Sequence, residues 1–205
     1  IKGYCSEKVY ELLAVSLQCF GGSGYLADYP IEQYIRDQKI DSLYEGTTHI
    51  QALDLLLRKV GRDGGQTLRE LLAEAQATLS EQAGGADLSD ARTALQEALE
   101  HVQAMLMALL GKMGESLYHV GLQGNRVLMA LAEVLIAWLL IRHAALAQTK
   151  LAALPDGADS ERAFYQGKIF SARYFATQVL PRITVERRQV EQSDLAPMTL
   201  PDACF

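Results

Sequence analysis

The sequence predicts an all-α protein built most simply from antiparallel helix bundles. Apolar residues recur with a helical period along almost the whole chain. No segment shows sustained alternation of apolar and polar residues between hairpin turn signals. Short glycine- and proline-rich stretches separate the helical segments, as in bundles with short connections. With 205 residues, the chain is long enough to bury a sizeable core.

The predicted helices follow one another with few residues between them. In chain order they cover residues 5–20, 31–40, 48–60, 67–82, 87–118, 125–153 and 160–189. Pro30 stands at the opening of the second helix, where a missing N–H costs little. Gly61 ends the third helix. The tail 193–205 has two prolines and no helical period, so we expect it to be extended or poorly ordered.

Composition and charge exclude several classes of protein. The net charge is −6 and no basic block occurs, which argues against a nucleic-acid surface. Cys5, Cys19 and Cys204 are odd in number and lack CxxC spacing, so neither a disulfide framework nor a zinc site is expected. A reducing, cytoplasmic location fits this cysteine usage best. Because the first residues already follow a helical pattern with no initiator Met, the sequence suggests a fragment of a longer protein.

The most apolar stretch is residues 127–141. As a helix it would span roughly 22 Å, which is shorter than the ~30 Å hydrocarbon layer of a membrane. It also carries Glu133 near its middle. We therefore expect a buried central helix, with Leu131, Leu135, Trp138 and Leu139 inside a helical bundle that the extension forms by itself or shares with a second subunit; a membrane-facing surface is the weaker alternative.

Individual motifs are ambiguous when each is taken alone. The glycines of GGSGY, residues 21–25, follow a helix rather than a strand, so a turn is favoured over a dinucleotide fingerprint. His49 and His119 each follow a glutamate by four residues, but the Glu-x-x-His spacing of bundle metal sites is missing and no metal is expected. No GxSxG nucleophile setting occurs. Glu45, just ahead of a helix, is explained first as a helix-capping carboxylate.

Taken together, these motifs resemble the C-terminal signature of the acyl-CoA dehydrogenases. The resemblance runs over LQCFGGSGYLADYPIEQYIRDQKIDSLYEGTTHIQ, residues 17–51, and the 24-residue step from Gly21 to Glu45 fits the family. Its elements are Gln18, the glycine turn Gly21-Gly22-x-Gly24, Tyr29-Pro30 with Glu32, Arg36-Asp37, and the box Tyr44-Glu45-Gly46-Thr47. The close match covers residues 4–60, and the later helices look like the C-terminal extension of larger family members.

The resemblance implies a role for each matching residue. Glu45 would be the catalytic base, Tyr44 would line the acyl cavity, and Gly46 would leave room for substrate. The segment Gln18, Cys19, Phe20, Gly21 and Gly22 would lie against the ADP portion of an FAD held mainly by a neighbouring subunit. Thr47 matches a position that hydrogen-bonds FAD, and His49 stands where several members have glutamine, although an imidazole can still donate one hydrogen bond.

The resemblance also implies an activity and its partners. The family oxidises acyl-CoA to trans-2-enoyl-CoA in fatty acid β-oxidation, with FAD as hydride acceptor and an electron-transferring flavoprotein as electron acceptor. A homo-oligomer, dimer or tetramer, is implied. Residues 1–62 would be the C-terminal half of the helical domain and 63–205 the helical extension, divided at GRDGG, residues 61–65. The isolated chain is expected to be inactive. The alternatives are a non-catalytic helical assembly or membrane-docking module, and a related flavoprotein oxidase or dehydrogenase-like protein with altered chemistry.

Overall fold

The first sixty residues form a small helical layer that ends in a π-helical segment. The computed structural model describes residues 1–80 and 88–204, and within these ranges every regular element is helical. The elements of this layer are α1 (Lys2–Cys19), the short α2 (Gly22–Tyr25), α3 (Ile31–Lys39), a 3₁₀ turn (Ile40–Ser42), and α4 (Thr48–Leu53), which continues as a π-helical segment (Asp54–Val60).

The later part of the chain consists of longer helices. They are α5 (Gln66–Ser80), α6 (Ser89–Met113), α7 (Tyr118–Ala152), α8 (Asp159–Tyr174) with a π-helical continuation (Phe175–Val179), a 3₁₀ turn (Leu180–Arg182), α9 (Ile183–Glu191), and two 3₁₀ turns (Ala196–Thr199 and Asp202–Cys204). The all-α fold class predicted from the sequence is therefore confirmed.

Helix α7 forms the centre of the molecule. Helices α6, α8 and α9 all pack against it, and α5 also contacts it, with a hydrogen bond from Trp138 to Thr78. The main core joins α6 and α7 through fully buried side chains such as Leu95, Leu99, Val127 and Val134. Apolar burial between helices is the main source of stability in such a bundle.

The apolar stretch 127–141 lies in this core, as predicted, with one exception. Leu131 and Trp138 are each only 6% exposed, and Leu135 packs against the core from its edge. Leu139 instead is 44% exposed, so this chain by itself does not cover it. By length and composition the helix Tyr118–Ala152 could cross a membrane, but most of its apolar window is buried inside the protein, as in core helices of soluble proteins.

The break before α7 lies earlier in the sequence than predicted. The prediction ran one helix through Tyr118 and began the next at Asn125, whereas the chain bends at residues 114–117 and α7 begins at Tyr118. The Ser116 hydroxyl accepts a hydrogen bond from the Tyr118 N–H at 3.1 Å and so satisfies a donor that a helix start leaves unpaired.

A second correction concerns the helix predicted as continuous over residues 160–189. It is interrupted between Phe175 and Arg182 by a π-helical and then a 3₁₀ segment. Pro181 lies in the interruption, and a proline has no N–H for the helical ladder and clashes with the preceding turn. Because the helix is interrupted there, Arg182 is placed beside the central helix α7.

The ends of two other predicted elements also need comment. The tail is not simply extended, because it forms two 3₁₀ turns and is anchored by Ser193, which is buried. The predicted end at Gln82 and start at Asp87 lie outside the described residues, within which α5 reaches Ser80 and α6 begins at Ser89.

Close helix contacts attach the first layer to the central helix. A Cβ built on Gly3 of α1 would lie 3.1 Å from Leu128 of α7, and one built on Gly124 of α7 would lie 3.5 Å from Ala52 of α4. Glycine at these crossings lets the helices approach closely. The bend between α3 and α4 is thereby held on a rigid support.

Candidate functional site

The bend at residues 43–47 has an unusual backbone conformation. Glu45 has φ of 53°, and no other non-glycine residue in the described ranges has a positive φ. Gly46 follows with φ of 89°. A left-handed conformation costs a residue with a Cβ on the order of 1 kcal/mol, and such strain is found most often at functional sites. The bend places the Glu45 side chain where a regular helix start would not.

Glu45 does not cap the following helix, so the capping explanation was wrong. Thr47 is the N-cap of α4, and its side-chain oxygen accepts a hydrogen bond from the Ile50 N–H at 3.5 Å. The Glu45 carboxylate is exposed, and no side chain in the described part of the chain pairs with it. It is therefore available for chemistry rather than used for structure.

Side chains from outside the bend hold its backbone. The Gln51 side-chain amide donates to the Glu45 carbonyl at 2.9 Å, and the Lys2 ammonium donates to the Gly46 carbonyl at 2.6 Å. The Thr48 hydroxyl donates a short hydrogen bond to the Glu7 carboxylate on α1. Two of these three contacts come from α1, which lies more than forty residues away in sequence.

Gly46 cannot be replaced without disturbing these contacts. A Cβ at this position would lie 2.9 Å from the Gln51 side-chain nitrogen, and the positive φ disfavours any side chain. The position that a side chain would take is already occupied, since Ile50 also lies 3.3 Å from such a Cβ. That Gly46 leaves room for substrate stays a prediction.

A shallow depression of about 250 Å³ lies beside Glu45 and Tyr44. Its other lining residues come from α1, from the end of α3 and from the 3₁₀ turn after it: Lys2, Cys5, Ser6, Val9, Gln38 and Asp41. The Asp41 carboxylate beside Tyr44 raises the pKa of that phenol. The Tyr44 hydroxyl therefore stays protonated to higher pH than an isolated tyrosine. The walls of this depression are mixed, with a thiol and an aliphatic side chain beside polar groups.

The predicted cofactor segment lies at the far end of α1. Gln18, Cys19 and Phe20 are exposed there, and Gly21 has a positive φ of 59°. A Cβ built on Gly21 or Gly22 would meet no atom within 4 Å, so the main chain at both is uncovered. A Cβ on Gly24 would lie 2.6 Å from the Leu17 carbonyl oxygen, and so Gly24 is needed for the turn itself.

The chain does not bring its two groups of predicted site residues together. Thr47 and His49, both exposed, lie at the start of α4, which contacts α1 near Glu7. Gln18 lies eleven residues after Glu7 on α1, which is a distance of roughly 16 Å along the helix at 1.5 Å per residue. The glycine turn and the Glu45 bend therefore occupy separate ends of α1.

His119 is buried and makes contacts that hold the tail of the chain in place. Its ring lies between the Ser193 hydroxyl at 3.0 Å and the Glu115 carboxylate at 3.4 Å. The Lys112 ammonium donates to the Ser193 carbonyl at 2.6 Å, which fixes the same tail segment. In the described ranges no three His, Cys, Asp or Glu side chains are close enough to hold a metal ion.

Several of these contacts were missed by the reading of the sequence. Lys2, Glu7 and Gln51 were not selected as site residues, because nothing in the local sequence shows which carbonyl or hydroxyl a distant side chain reaches. Only the helical period of α1 and the position of the bend were readable. Only Gln51 had a local signal, because it lies six residues after Glu45, in the first turn of the helix that Thr47 caps.

Comparison with known families and proteins supports a single assignment. Residues 1–60 match the family model "Acyl-CoA dehydrogenase, C-terminal domain", and residues 71–201 match "Acetyl-CoA dehydrogenase C-terminal like". A broad-specificity linear acyl-CoA dehydrogenase of Mycobacterium tuberculosis is 47% identical over 212 residues, which cover 100% of this chain and 34% of that protein.

Two further relatives have related names. A 3-methylmercaptopropionyl-CoA dehydrogenase of Ruegeria pomeroyi is 36% identical over 93% of this chain and 32% of its own length. A butyryl-CoA dehydrogenase of Syntrophomonas wolfei is 28% identical over 100% of this chain and 33% of its own length. The chain thus spans about a third of the length of these curated relatives. On these matches, the chain belongs to the acyl-CoA dehydrogenase family.

Proposed function

We propose that this chain is the C-terminal part of an FAD-dependent acyl-CoA dehydrogenase in which Glu45 is the catalytic base. The observation that carries the proposal is the Glu45 bend. It presents a carboxylate that no side chain of the described residues pairs with, on a left-handed backbone that continues into Gly46. The family membership supports it, because relatives over the whole chain are named acyl-CoA dehydrogenases.

The chemistry requires a base of this kind. The α C–H of an acyl thioester is a very weak acid, so its proton must be taken by a group held at contact distance. We propose that the Glu45 carboxylate takes this proton while the β-carbon loses a hydride, which leaves the trans-2-enoyl thioester. Bound FAD supplies the hydride acceptor for this step.

The backbone at Glu45 can also assist the reaction. Negative charge develops on the thioester carbonyl oxygen as the α-proton leaves, and a preorganised N–H donor stabilises it. In the described part of the chain the Glu45 N–H has no hydrogen-bond acceptor. It is therefore free to donate to the thioester oxygen.

The exposed residues fit a flavin partner. Gly21 and Gly22 present uncovered main chain, which a cofactor can approach closely. Thr47 and His49 are exposed at the start of α4 and carry side-chain donors. Because the glycine turn is roughly 16 Å along α1 from the bend, we propose that it contacts the FAD of a neighbouring subunit in a homo-oligomer.

The rest of the enzyme would complete the site. Glu45 and Tyr44 are exposed in this chain, whereas proton abstraction from a thioester needs a water-poor pocket. We propose that residues 1–62 are half of a helical domain whose remaining parts cover the depression, that 63–205 form an extension, and that the isolated chain is inactive. An electron-transferring flavoprotein is the proposed electron acceptor, and the cytoplasm the proposed location.

Anaerobic titration of the full-length protein with acyl-CoAs of increasing chain length tests this function. Bleaching of the oxidised flavin absorbance on addition of acyl-CoA supports the proposal, and the most effective length defines the substrate. A full-length protein that binds no flavin, or whose flavin no acyl-CoA reduces, contradicts it. Reoxidation by oxygen faster than by electron-transferring flavoprotein would identify the related oxidase instead.

A further inference from the structure

Two consecutive carbonyl groups in the Glu45 bend are each held by a side chain from outside the bend. Gln51, on the first turns of α4, donates to the carbonyl of Glu45 at 2.9 Å. Lys2, on the first turn of α1, donates to the carbonyl of Gly46 at 2.6 Å. These two contacts hold the two peptide units that flank Gly46, the first of which also follows Glu45.

The bend has few other restraints. Leu43 and Tyr44 donate backbone hydrogen bonds to Ile40, and after Tyr44 the next backbone bond is the one from Gln51 to Thr47 at the start of α4. Because the left-handed conformation of Glu45 is strained, it persists only where surrounding groups hold the backbone in place. The hydrogen bonds from the Lys2 and Gln51 side chains hold it here.

Each contact also ties the bend to a rigid element. Lys2 belongs to α1, which packs on the central helix through the close approach of Gly3 to Leu128. The Thr48 hydroxyl bond to Glu7 fixes the adjoining end of α4 to the same helix. Movement of the Glu45 backbone relative to α1 therefore requires these hydrogen bonds to break.

We propose that Lys2 and Gln51 are positioning residues for proton abstraction, which fix the left-handed backbone at Glu45 and Gly46 so that the carboxylate meets the substrate α-carbon. The proposal rests on the assignment of Glu45 as the base. Neither residue touches the reacting atoms, since Gln51 acts through the carbonyl of Glu45 and Lys2 through the carbonyl of Gly46. Since a displacement of about 1 Å can reduce a rate by about 10²-fold, loss of either contact should slow chemistry more than it weakens binding.

The test uses the full-length flavoprotein with Lys2→Met and Gln51→Met, each of which keeps an unbranched side chain but removes the donor. Lys2→Arg keeps a cationic donor and is the rescue variant. Lys150→Met and Gln103→Met, at exposed positions on α7 and α6, are matched controls. The readouts are flavin content, the acyl-CoA dissociation constant, and the rate constant of flavin reduction with normal and α-deuterated acyl-CoA.

In Lys2→Met and Gln51→Met we expect the rate constant of flavin reduction, per bound flavin, to fall at least about tenfold. This is less than the about 10²-fold loss that a displacement of about 1 Å can cause. The acyl-CoA dissociation constant should change little, the deuterium isotope effect should be retained or increased, and Lys2→Arg should recover most of the rate. The two controls should behave as wild type.

Two results would overturn the proposal. One is a wild-type reduction rate per bound flavin in both donor-deleted variants. The other is a loss of activity that follows flavin content or thermal stability alone, because that pattern belongs to a structural role. If one variant does not fold, the other decides between these outcomes. Failure of the proposed function is recognised separately, because acyl-CoA would then reduce no flavin in the wild-type protein, or would reduce the flavin of Glu45→Gln as fast as that of wild type.

Discussion

The Glu133 carboxylate on α7, which is completely buried, receives two hydrogen bonds from the Arg182 guanidinium, one of them from Nε at 2.9 Å. Burial raises the pKa of Glu133, while the neighbouring Arg182 opposes that rise. A buried charge is tolerated only where it is paired, so this contact accounts for an acidic residue inside the most apolar helix of the protein.

Removal of this carboxylate should destabilise the protein strongly. We expect Glu133→Ala to lower the free energy of unfolding by about 2 kcal/mol or more, because it leaves a cavity and removes the acceptor of Arg182. Glu133→Gln keeps one acceptor and should cost about 1 kcal/mol. Denaturant unfolding measures both, with Glu97→Ala at an exposed position of α6 as the control. An unchanged stability in Glu133→Ala would show that the pair is unimportant.

Tyr4 on α1 should give the protein a pH-dependent stability in alkaline solution. Burial and the nearby Glu133 carboxylate raise its pKa from 10.0 to about 12. The unfolded chain therefore loses the phenol proton near pH 10, while the folded chain keeps it until about pH 12. Stability from this group is complete below pH 10 and is lost as the pH rises to 12, by at most about 3 kcal/mol.

The measurement compares wild type and Tyr4→Phe by denaturant unfolding between pH 8 and about pH 12. We expect the difference in unfolding free energy to be constant below pH 10 and to shift in favour of Tyr4→Phe above it. Taking the difference removes the titration of the other tyrosines and lysines. Parallel curves over the whole range would contradict the raised pKa.

The glycine turn can be tested without damaging the fold. A Cβ at Gly22 meets no atom within 4 Å in this chain, so Gly22→Val should leave helical content nearly unchanged. In the full-length protein we expect it to weaken FAD retention, because the side chain would occupy the surface proposed to contact the cofactor. Flavin loss should also accompany dilution to monomers, since binding and assembly are linked by mass action.

The control for this variant is Gly24→Ala, whose Cβ would lie 2.6 Å from the Leu17 carbonyl oxygen. It should destabilise α1 and the turn, by about 1–3 kcal/mol for an overpacked site, and so shows what a purely structural defect does to flavin content. The readouts are the flavin-to-protein ratio, oligomer size and circular dichroism. Full flavin occupancy in Gly22→Val, with an unchanged FAD dissociation constant, would show that the turn has no cofactor role.

The sequence predicted the helices well because their signal is local. The apolar period and the glycine-rich connections are visible without knowledge of the fold, and so is the order of motifs from Gln18 to Thr47. The break at residues 114–117 was visible as well, in Gly114 and Ser116, but the apolar residues on both sides obscured it. Pro181 was a clear helix-breaking signal that the long helical period outweighed.

The contacts that fix the bend were not predictable from the sequence for a physical reason. Lys2 and the Gly46 carbonyl are 44 residues apart, and Arg182 and Glu133 are 49 apart. Such pairs are set by how helices cross, which depends on the shapes of many side chains at once. The backbone conformation of Glu45 belongs to the same class, because its positive φ contradicts the local preference of glutamate.

The most direct test of the central claim is the anaerobic reduction of the bound flavin by acyl-CoA in the full-length Glu45→Gln variant. Glutamine keeps the shape of the side chain but cannot accept the α-proton, so flavin content and acyl-CoA binding should match wild type. The rate constant of flavin reduction should fall by about 10²-fold or more, as expected for loss of a positioned base. A variant that reduces its flavin at more than about a tenth of the wild-type rate would contradict the assignment of Glu45 as the base.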